Sequence, residues 1–193
     1  MSQTMAPVLN NNANPSKPLP DGVDALVTWI KNWLAGPPFN KDVRGVPIAL
    51  ANGLGSGQKT GSGQQPGVYV KLTDVKGIFW KGVLQKSGNN LDNLPGCVIL
   101  NTTTPNSGST IWLGLLFHEY GHAALGADEM YAWTVELLSL QAYLAAQNTN
   151  QALAQTLRAF VKARRGEHCY ERFMNGYEDQ ARNAYAALAG EAL

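Results

Sequence analysis

The feature that most constrains this chain is a pair of histidines, one helical turn apart, inside an apolar segment. His118 and His122 lie within GLLFHEYGHAALGADEMYAWTVELL, residues 114–138. Histidines at positions i and i+4 of a helix project from the same face, at the separation that two imidazoles need to bind one zinc ion. Glu119 follows the first histidine and can serve as general base for a water molecule at the ion. The spacing therefore predicts a zinc site with its own base.

The sequence around this motif favours a functional interpretation. The flanks IWLGLLF and AALG are apolar, so the motif is expected in a buried helix, where polar groups without a purpose cost free energy. Gly121 and Ala123 are small, as close packing around an ion requires. The preceding segment, CVILNTTTPNSGST, predicts a strand directly before the helix. We expect this strand at the edge of a sheet, where an extended peptide could pair with it.

The hydrophobic pattern predicts an α+β fold. A first helix is expected from the helical spacing of apolar residues between Val23 and Leu34, with Asp21 as cap and Gly36-Pro37-Pro38 as its end. Segments rich in Val, Ile and aromatic residues then predict a small twisted sheet, with strands over 46–52, 67–75, 77–84 and 96–102. Beyond Ser109 the pattern is helical to the end, over 109–125, 128–147, 150–165 and 167–189.

Length, charge and composition narrow the class of protein. A chain of 193 residues suffices for one domain with a tail, so we expect a disordered arm over 1–20 and a single domain over 21–193. The net charge of +1 and the absence of a basic stripe beyond KARR, 162–165, argue against a nucleic-acid partner. No apolar run reaches the ~20 residues of a membrane helix. No signal peptide is recognisable, so we expect a cytoplasmic protein or export by a signal-independent route.

Two other patterns are interpreted as structural. The segment GLGSGQKT, 53–60, nearly matches a phosphate-binding loop, but Gln58 replaces the second required glycine and no helical pattern follows Thr60. It is therefore predicted to be a loop. Cys97 and Cys169 are the only cysteines, and we expect two free thiols rather than a bridge.

The motif HEYGH, on an apolar helix that follows the strand VILN, resembles the zincin metallopeptidases. In that family a small sheet packs on the motif helix and a helical half follows; the resemblance covers residues 96–140. It implies a hydrolase with one Zn²⁺ ion that acts on peptides or proteins, in which Glu119 activates water and passes the proton to the leaving amine. Chains of this layout also resemble bacterial peptidase toxins or effectors, whose partners would include secretion machinery or an immunity protein.

A zinc site with an open position for water needs a third protein ligand. Glutamate-type zincins supply it from the next helix, in a pattern E-x-x-A that EMYA, 129–132, resembles; this makes Glu129 the first candidate. Glu136, one heptad later on the same helix face, would lie level with His118 in a helical hairpin. Asp128 occupies the position of the metzincin ligand, but Leu125 replaces the required glycine. A remote residue such as Glu167 is the fourth alternative.

The oxyanion donor and the function class also have alternatives. His168 is the first candidate for the donor, because it is the only other histidine and is expected to begin a new helix; Tyr170 and Tyr131 are the others. Two different functions remain open besides the metallopeptidase. One is a zinc amidase that acts on cell-wall peptides. The other is a non-catalytic binding or immunity-type protein, with a structural zinc or no metal, which would not need Glu119.

Overall fold

A computed structural model of the protein describes residues 9–10, 23–51, 67–73, 81–82, 85, 93–101, 109–148 and 150–193. It divides into two compact units, Met1–Ser107 and Gly108–Leu193. The boundary lies inside the segment that was predicted to be one domain. Strands occur only in the first unit among the described residues, and helices dominate the second. The predicted α+β class is confirmed, whereas the packing of the sheet on the motif helix stays a prediction.

The first unit contains one helix and a mixed sheet. Its elements are β1 (Leu9–Asn10), α1 (Val23–Ala35), β2 (Ile48–Ala51), β3 (Gly67–Lys71) and β4 (Gly96–Asn101). The strand order is β1-β2-β4-β3, in which β2 pairs with both β1 and β4 in parallel and β3 pairs with β4 antiparallel. The expectation that β4 is an edge strand is therefore wrong. Both of its sides are hydrogen-bonded to neighbouring strands, so it offers no edge to a peptide.

The burial of β4 explains its central position. The residues Cys97, Val98, Ile99 and Leu100 are all fully buried. A continuous apolar run of this kind is typical of a strand covered on both faces. On one face, alternate residues of three strands form a cluster: Ala49, Val70, Cys97 and Ile99, joined by Leu72 and by the partly buried Val68 and Leu94. The register places Ala49 and Val68 on either side of Ile99.

The structure differs from two of the predictions for the first unit. The arm over 1–20 was expected to be disordered, but Leu9–Asn10 form strand β1 through parallel pairing with β2; the rest of the arm lies outside the described residues. Within the strand predicted over 77–84, residues 81 and 82 are described and are helical. The GLGSGQKT loop lies outside the described residues. Cys97 and Cys169 are both free, as expected.

The second unit consists of four helices among its described residues. They are α2 (Ser109–Leu125), α3 (Glu129–Ala146), α4 (Gln151–Gly166) and α5 (Glu178–Ala189). The end of α2 and the starts of α3 and α4 follow local capping chemistry. Gly126, at φ 118°, follows α2 in a conformation that favours glycine. Asp128 then caps α3 by accepting a hydrogen bond from the backbone N–H of Met130 at 3.1 Å. Asn150 caps α4 in the same way.

The final helix is shorter than predicted. Helix was expected over 167–189, but only Glu178–Ala189 is helical and the segment 167–177 consists of turns, a bend and irregular backbone. His168, Tyr170 and Gly176 have positive φ angles, which a continuous right-handed helix excludes. His168 therefore lies in a turn instead of at the start of a helix. Among the described helices, none has the length and apolar character needed to cross a membrane.

A buried lysine in α1 was not anticipated. The predicted apolar face is confirmed, because Val23, Val27, Ile30 and Leu34 are buried. Lys31 lies beside this face with only 3% of its surface exposed, and its Nζ donates a hydrogen bond to the carbonyl of Arg44 at 3.2 Å. Burial lowers the pKa of Lys31 from 10.5 to about 8. The folded chain therefore releases this proton at a lower pH than the unfolded chain does.

This shift predicts a pH dependence of stability. Between pH 8 and 10.5 the unfolded chain holds the Lys31 proton more tightly, so the free energy of unfolding should rise with pH in that window. Relative to Lys31→Met, which removes the titrating group, the rise in wild type should be on the order of 2 kcal/mol. Urea unfolding of both proteins across this range measures it. Parallel pH profiles would contradict the assigned burial of the ammonium group.

Candidate metal centre

The site is built on the hairpin of α2 and α3. A Cβ atom added to Gly121 would lie 2.9 Å from the Cα of Ala132 and 3.1 Å from the Cβ of Val135, closer than ordinary van der Waals contact. Gly121 and Ala132 therefore let the two backbones approach more closely than larger residues would. Ala132, the alanine of the EMYA segment, lies at this contact. Close approach brings the glutamates of α3 within reach of the histidines of α2.

Both histidines direct their Nε2 atoms to the carboxylate of Glu129. His118 Nε2 lies 3.2 Å from Glu129 Oε2, and His122 Nε2 lies 3.6 Å from Oε1. One nitrogen from each histidine and one oxygen of Glu129 all lie within 4.8 Å of one another. Tetrahedral zinc, with bonds of about 2.0–2.2 Å, holds its ligand atoms roughly 3.3 Å apart. The three side chains thus fit a zinc ion in donor type and in spacing.

The other ring nitrogen of each histidine has a separate partner. His118 Nδ1 lies 2.9 Å from Oε2 of Glu136, and His122 Nδ1 lies 3.0 Å from the backbone carbonyl oxygen of Gly126. An ionised carboxylate and a carbonyl can only accept, so both Nδ1 atoms must donate. In the neutral form that would bind a metal ion, the proton is then on Nδ1 and the lone pair on Nε2 faces Glu129. Metal-binding histidines in proteins are usually oriented by such contacts.

Glu136 therefore contacts a different side of the His118 ring from Glu129. Its carboxylate is fully buried and contacts the Nδ1 side of His118, away from the point where the two Nε2 atoms converge. The side chain of Glu129 is 53% exposed, which is compatible with a ligand at a site open to substrate. The prediction that position 136 lies level with His118 agrees with the structure, but the geometry favours Glu129 as the third ligand.

The ionisation of the cluster follows from these contacts. Burial lowers the pKa of His118, but hydrogen bonds to Glu129 and Glu136 outweigh it and raise the pKa to about 9. Hydrogen bonds from His118 and His122 hold the pKa of Glu129 well below its usual range. Burial raises the pKa of Glu136, but the charge of Arg164 and the bond to His118 lower it by more. Both glutamates are thus carboxylates at neutral pH.

The charges of the cluster match a divalent cation. Glu119, 5% exposed, contributes a third carboxylate beside the two on α3. Arg164 forms an ion pair with Glu136 at 3.1 Å. When the two histidines bind an ion in their neutral form, the carboxylates of Glu129 and Glu136 exceed the single charge of Arg164, and a divalent cation would offset the difference. Negative charge in a partly buried cluster is costly without a counter-charge, so the donor set is compatible with a cation.

The remaining candidates lie elsewhere. Asp128 caps α3 and lies 3.6 Å from Arg172. Glu167 is exposed at the C-terminal end of α4. The side chain of His168 is 88% exposed and lies 3.4 Å from Glu171; its role as oxyanion donor stays a prediction without support from this placement. The hydroxyl of Tyr170 donates to Glu136. Tyr131 is half-buried beside the turn at Gly126.

The helix contact at Gly121 gives a testable prediction. Gly121→Ala places a methyl group against the backbone of α3 and should lower the free energy of unfolding by about 1–3 kcal/mol, because overpacking forces the helices apart. It should also weaken zinc binding, since Glu129 moves with α3. Thermal unfolding and zinc titration measure the two effects.

Gly166→Ala is the matched control for this substitution. Gly166 is also helical, but an added Cβ there meets nothing within 4 Å. The Gly166→Ala substitution should leave the free energy of unfolding unchanged or raise it slightly, because alanine has a higher helix propensity than glycine. Equal behaviour of the two variants would contradict the close helix contact.

Comparison with models of protein families, with curated proteins and with solved structures finds no match to this chain. The functional proposal is therefore drawn from the chemistry of the site. That chemistry consists of two oriented imidazoles, a facing carboxylate and a neighbouring buried glutamate, all on two adjacent helices of the second unit.

Proposed function

We propose that this protein is a zinc-dependent metallopeptidase, with His118, His122 and Glu129 as ligands. The convergence of two histidine Nε2 atoms on the Glu129 carboxylate carries this proposal. Three protein ligands are the number that leaves one tetrahedral position for water or substrate, as in catalytic zinc sites; structural sites usually have four. When bound, zinc would supply a Lewis acid that polarises a carbonyl and makes water acidic near neutral pH.

Glu119 is the proposed general base. It follows His118 directly on α2 and is buried, and its charge acts on His118. In the proposed reaction its carboxylate takes a proton from water as the new C–O bond forms, and then transfers that proton to the amide nitrogen as the C–N bond breaks and the amine departs. Glu136 and the carbonyl of Gly126 keep the two imidazoles oriented during this step.

A buried Glu119 supports a catalytic role over a purely structural zinc. Glu119 is neither one of the three proposed ligands nor the group at the Nδ1 atom of either histidine, and a structural site does not require a general base. The cell-wall amidase shares this chemistry with the peptidase, because it would hydrolyse an amide with the same groups. Substrate tests separate the amidase from the peptidase. The peptidase is preferred because the HEYGH motif resembles that of the zincin metallopeptidases.

The test is the Glu119→Gln variant. It removes the base and keeps the shape of the side chain, so the protein should bind about one zinc per chain while hydrolysis falls by about 10²–10⁴-fold. Zinc-loaded wild type and variant are assayed on casein, a fluorogenic peptide library and peptidoglycan fragments. The matched control is Glu167→Gln, at an exposed glutamate outside the metal cluster, which should retain full activity.

The outcomes separate the candidate functions. Cleavage of casein or peptides that is lost in Glu119→Gln supports the peptidase. Cleavage of peptidoglycan fragments alone would replace it with the amidase. If zinc-loaded wild type cleaves none of these substrates, or if Glu119→Gln cleaves as fast as wild type, the proposed mechanism fails.

A further inference from the structure

Glu136 is held by two donors besides His118. Arg164 Nη2, near the end of α4, lies 3.1 Å from Oε2 of Glu136. The hydroxyl of Tyr170 donates to the other oxygen, Oε1. Arg164 Nη2 also lies 3.3 Å from His118 Nδ1, but a guanidinium and an Nδ1–H are both donors, so the carboxylate is their shared acceptor. Both oxygens of a fully buried carboxylate are thus fixed by side chains from outside the α2–α3 hairpin.

Tyr170 reaches Glu136 from a constrained turn. His168 and Tyr170, at φ 62° and 68°, both adopt the left-handed conformation that residues with a side chain rarely occupy. Such a backbone persists only where the surroundings hold it. Two contacts of Tyr170 do so here: its hydroxyl bond to Glu136, and its ring, which packs edge-on against Tyr185 of α5 at 5.8 Å. Tyr170 is itself only 2% exposed.

We infer that Arg164 and Tyr170 are positioning residues of the metal centre, which act through Glu136 on the Nδ1 side of His118. The inference rests on the proposed function, because it concerns the same zinc site. With both oxygens held, Glu136 stays directed at Nδ1 and the Nε2 atom of His118 stays directed at Glu129. Loss of either donor leaves the carboxylate free to turn away. Removal of a residue that orients a metal ligand without binding the metal itself typically weakens metal affinity by about 10–100-fold.

The test measures zinc affinity in two pairs of variants. Tyr170→Phe removes only the hydroxyl on Glu136, and Tyr185→Phe, in the neighbouring buried tyrosine, is its control. Arg164→Gln removes the second donor, and Arg165→Gln is its control, because Arg165 donates to Glu191 and to the carbonyl of Ala192 instead. Zinc dissociation constants come from competition with a chromophoric chelator. The visible spectrum of the cobalt-loaded protein is the second readout, because it reports ligand geometry, which a general loss of stability would not change.

The expected result is an affinity about 10-fold weaker and an altered cobalt spectrum for Tyr170→Phe and Arg164→Gln, with both controls like wild type. Wild-type values for both test variants, or equal losses in tests and controls, would overturn the inference while leaving the zinc site intact. If wild type binds no zinc, the proposed function itself fails.

A measurement on zinc-loaded wild type does not depend on how any variant folds. The Nδ1 proton of His118, held between the imidazole and Glu136, should give a downfield proton resonance that is protected from exchange with solvent. Its absence would overturn the inference even if every variant unfolds.

Discussion

The proposed metal centre depends on how closely α2 and α3 approach each other at Gly121 and Ala132. A larger residue at position 121 would hold the two helices further apart and would lengthen the distances between the carboxylates of α3 and the imidazoles of α2. The missing Cβ at Gly121 removes that obstacle, because a methyl group there would meet backbone atoms of α3. The tight turn at Gly126 and the Asp128 cap then set the register. Glu129 meets both Nε2 atoms in this register, and Glu136, two turns later, meets Nδ1 of His118.

This arrangement concentrates polar groups within an otherwise apolar pair of helices. Burying charge is costly unless a partner of opposite charge or a hydrogen-bond donor compensates it. Protein side chains compensate Glu136, and a bound cation would compensate the carboxylates nearer to the histidines. Arg164 and Tyr170 stabilise Glu136 from the segment that follows the hairpin. On the other side, a divalent cation would replace the excess proton of His118 and balance the remaining carboxylates. Metal binding and the stability of the second unit should therefore be linked, because an ion that binds only the folded chain stabilises it.

Much of this architecture could be predicted from local patterns, and the rest depends on tertiary contacts. The HEYGH spacing, the stop at Gly126 and the cap at Asp128 are local properties of the chain. The central place of β4 was not predictable in this way, because strand order is set by distant segments. Local propensity predicted a helix from residue 167, but Tyr170 gains a buried contact with Glu136 only through a turn. Glu129 faces the Nε2 atom of His118, whereas Glu136 faces its Nδ1 atom. The spacing of these residues along the sequence does not reveal this difference. Lys31 occurs in a helical pattern that gave no sign of its burial.

The most direct test of this account is the zinc content of the purified protein after reconstitution and dialysis, measured by mass spectrometry for wild type, His122→Ala, Glu129→Gln and the exposed control Glu167→Gln. The account predicts about one zinc ion per chain in wild type and in the control. It predicts that most of this zinc is lost in His122→Ala and Glu129→Gln, because each removes a ligand. Wild type that retains no zinc, or Glu129→Gln that retains as much as wild type, would contradict the assigned metal centre.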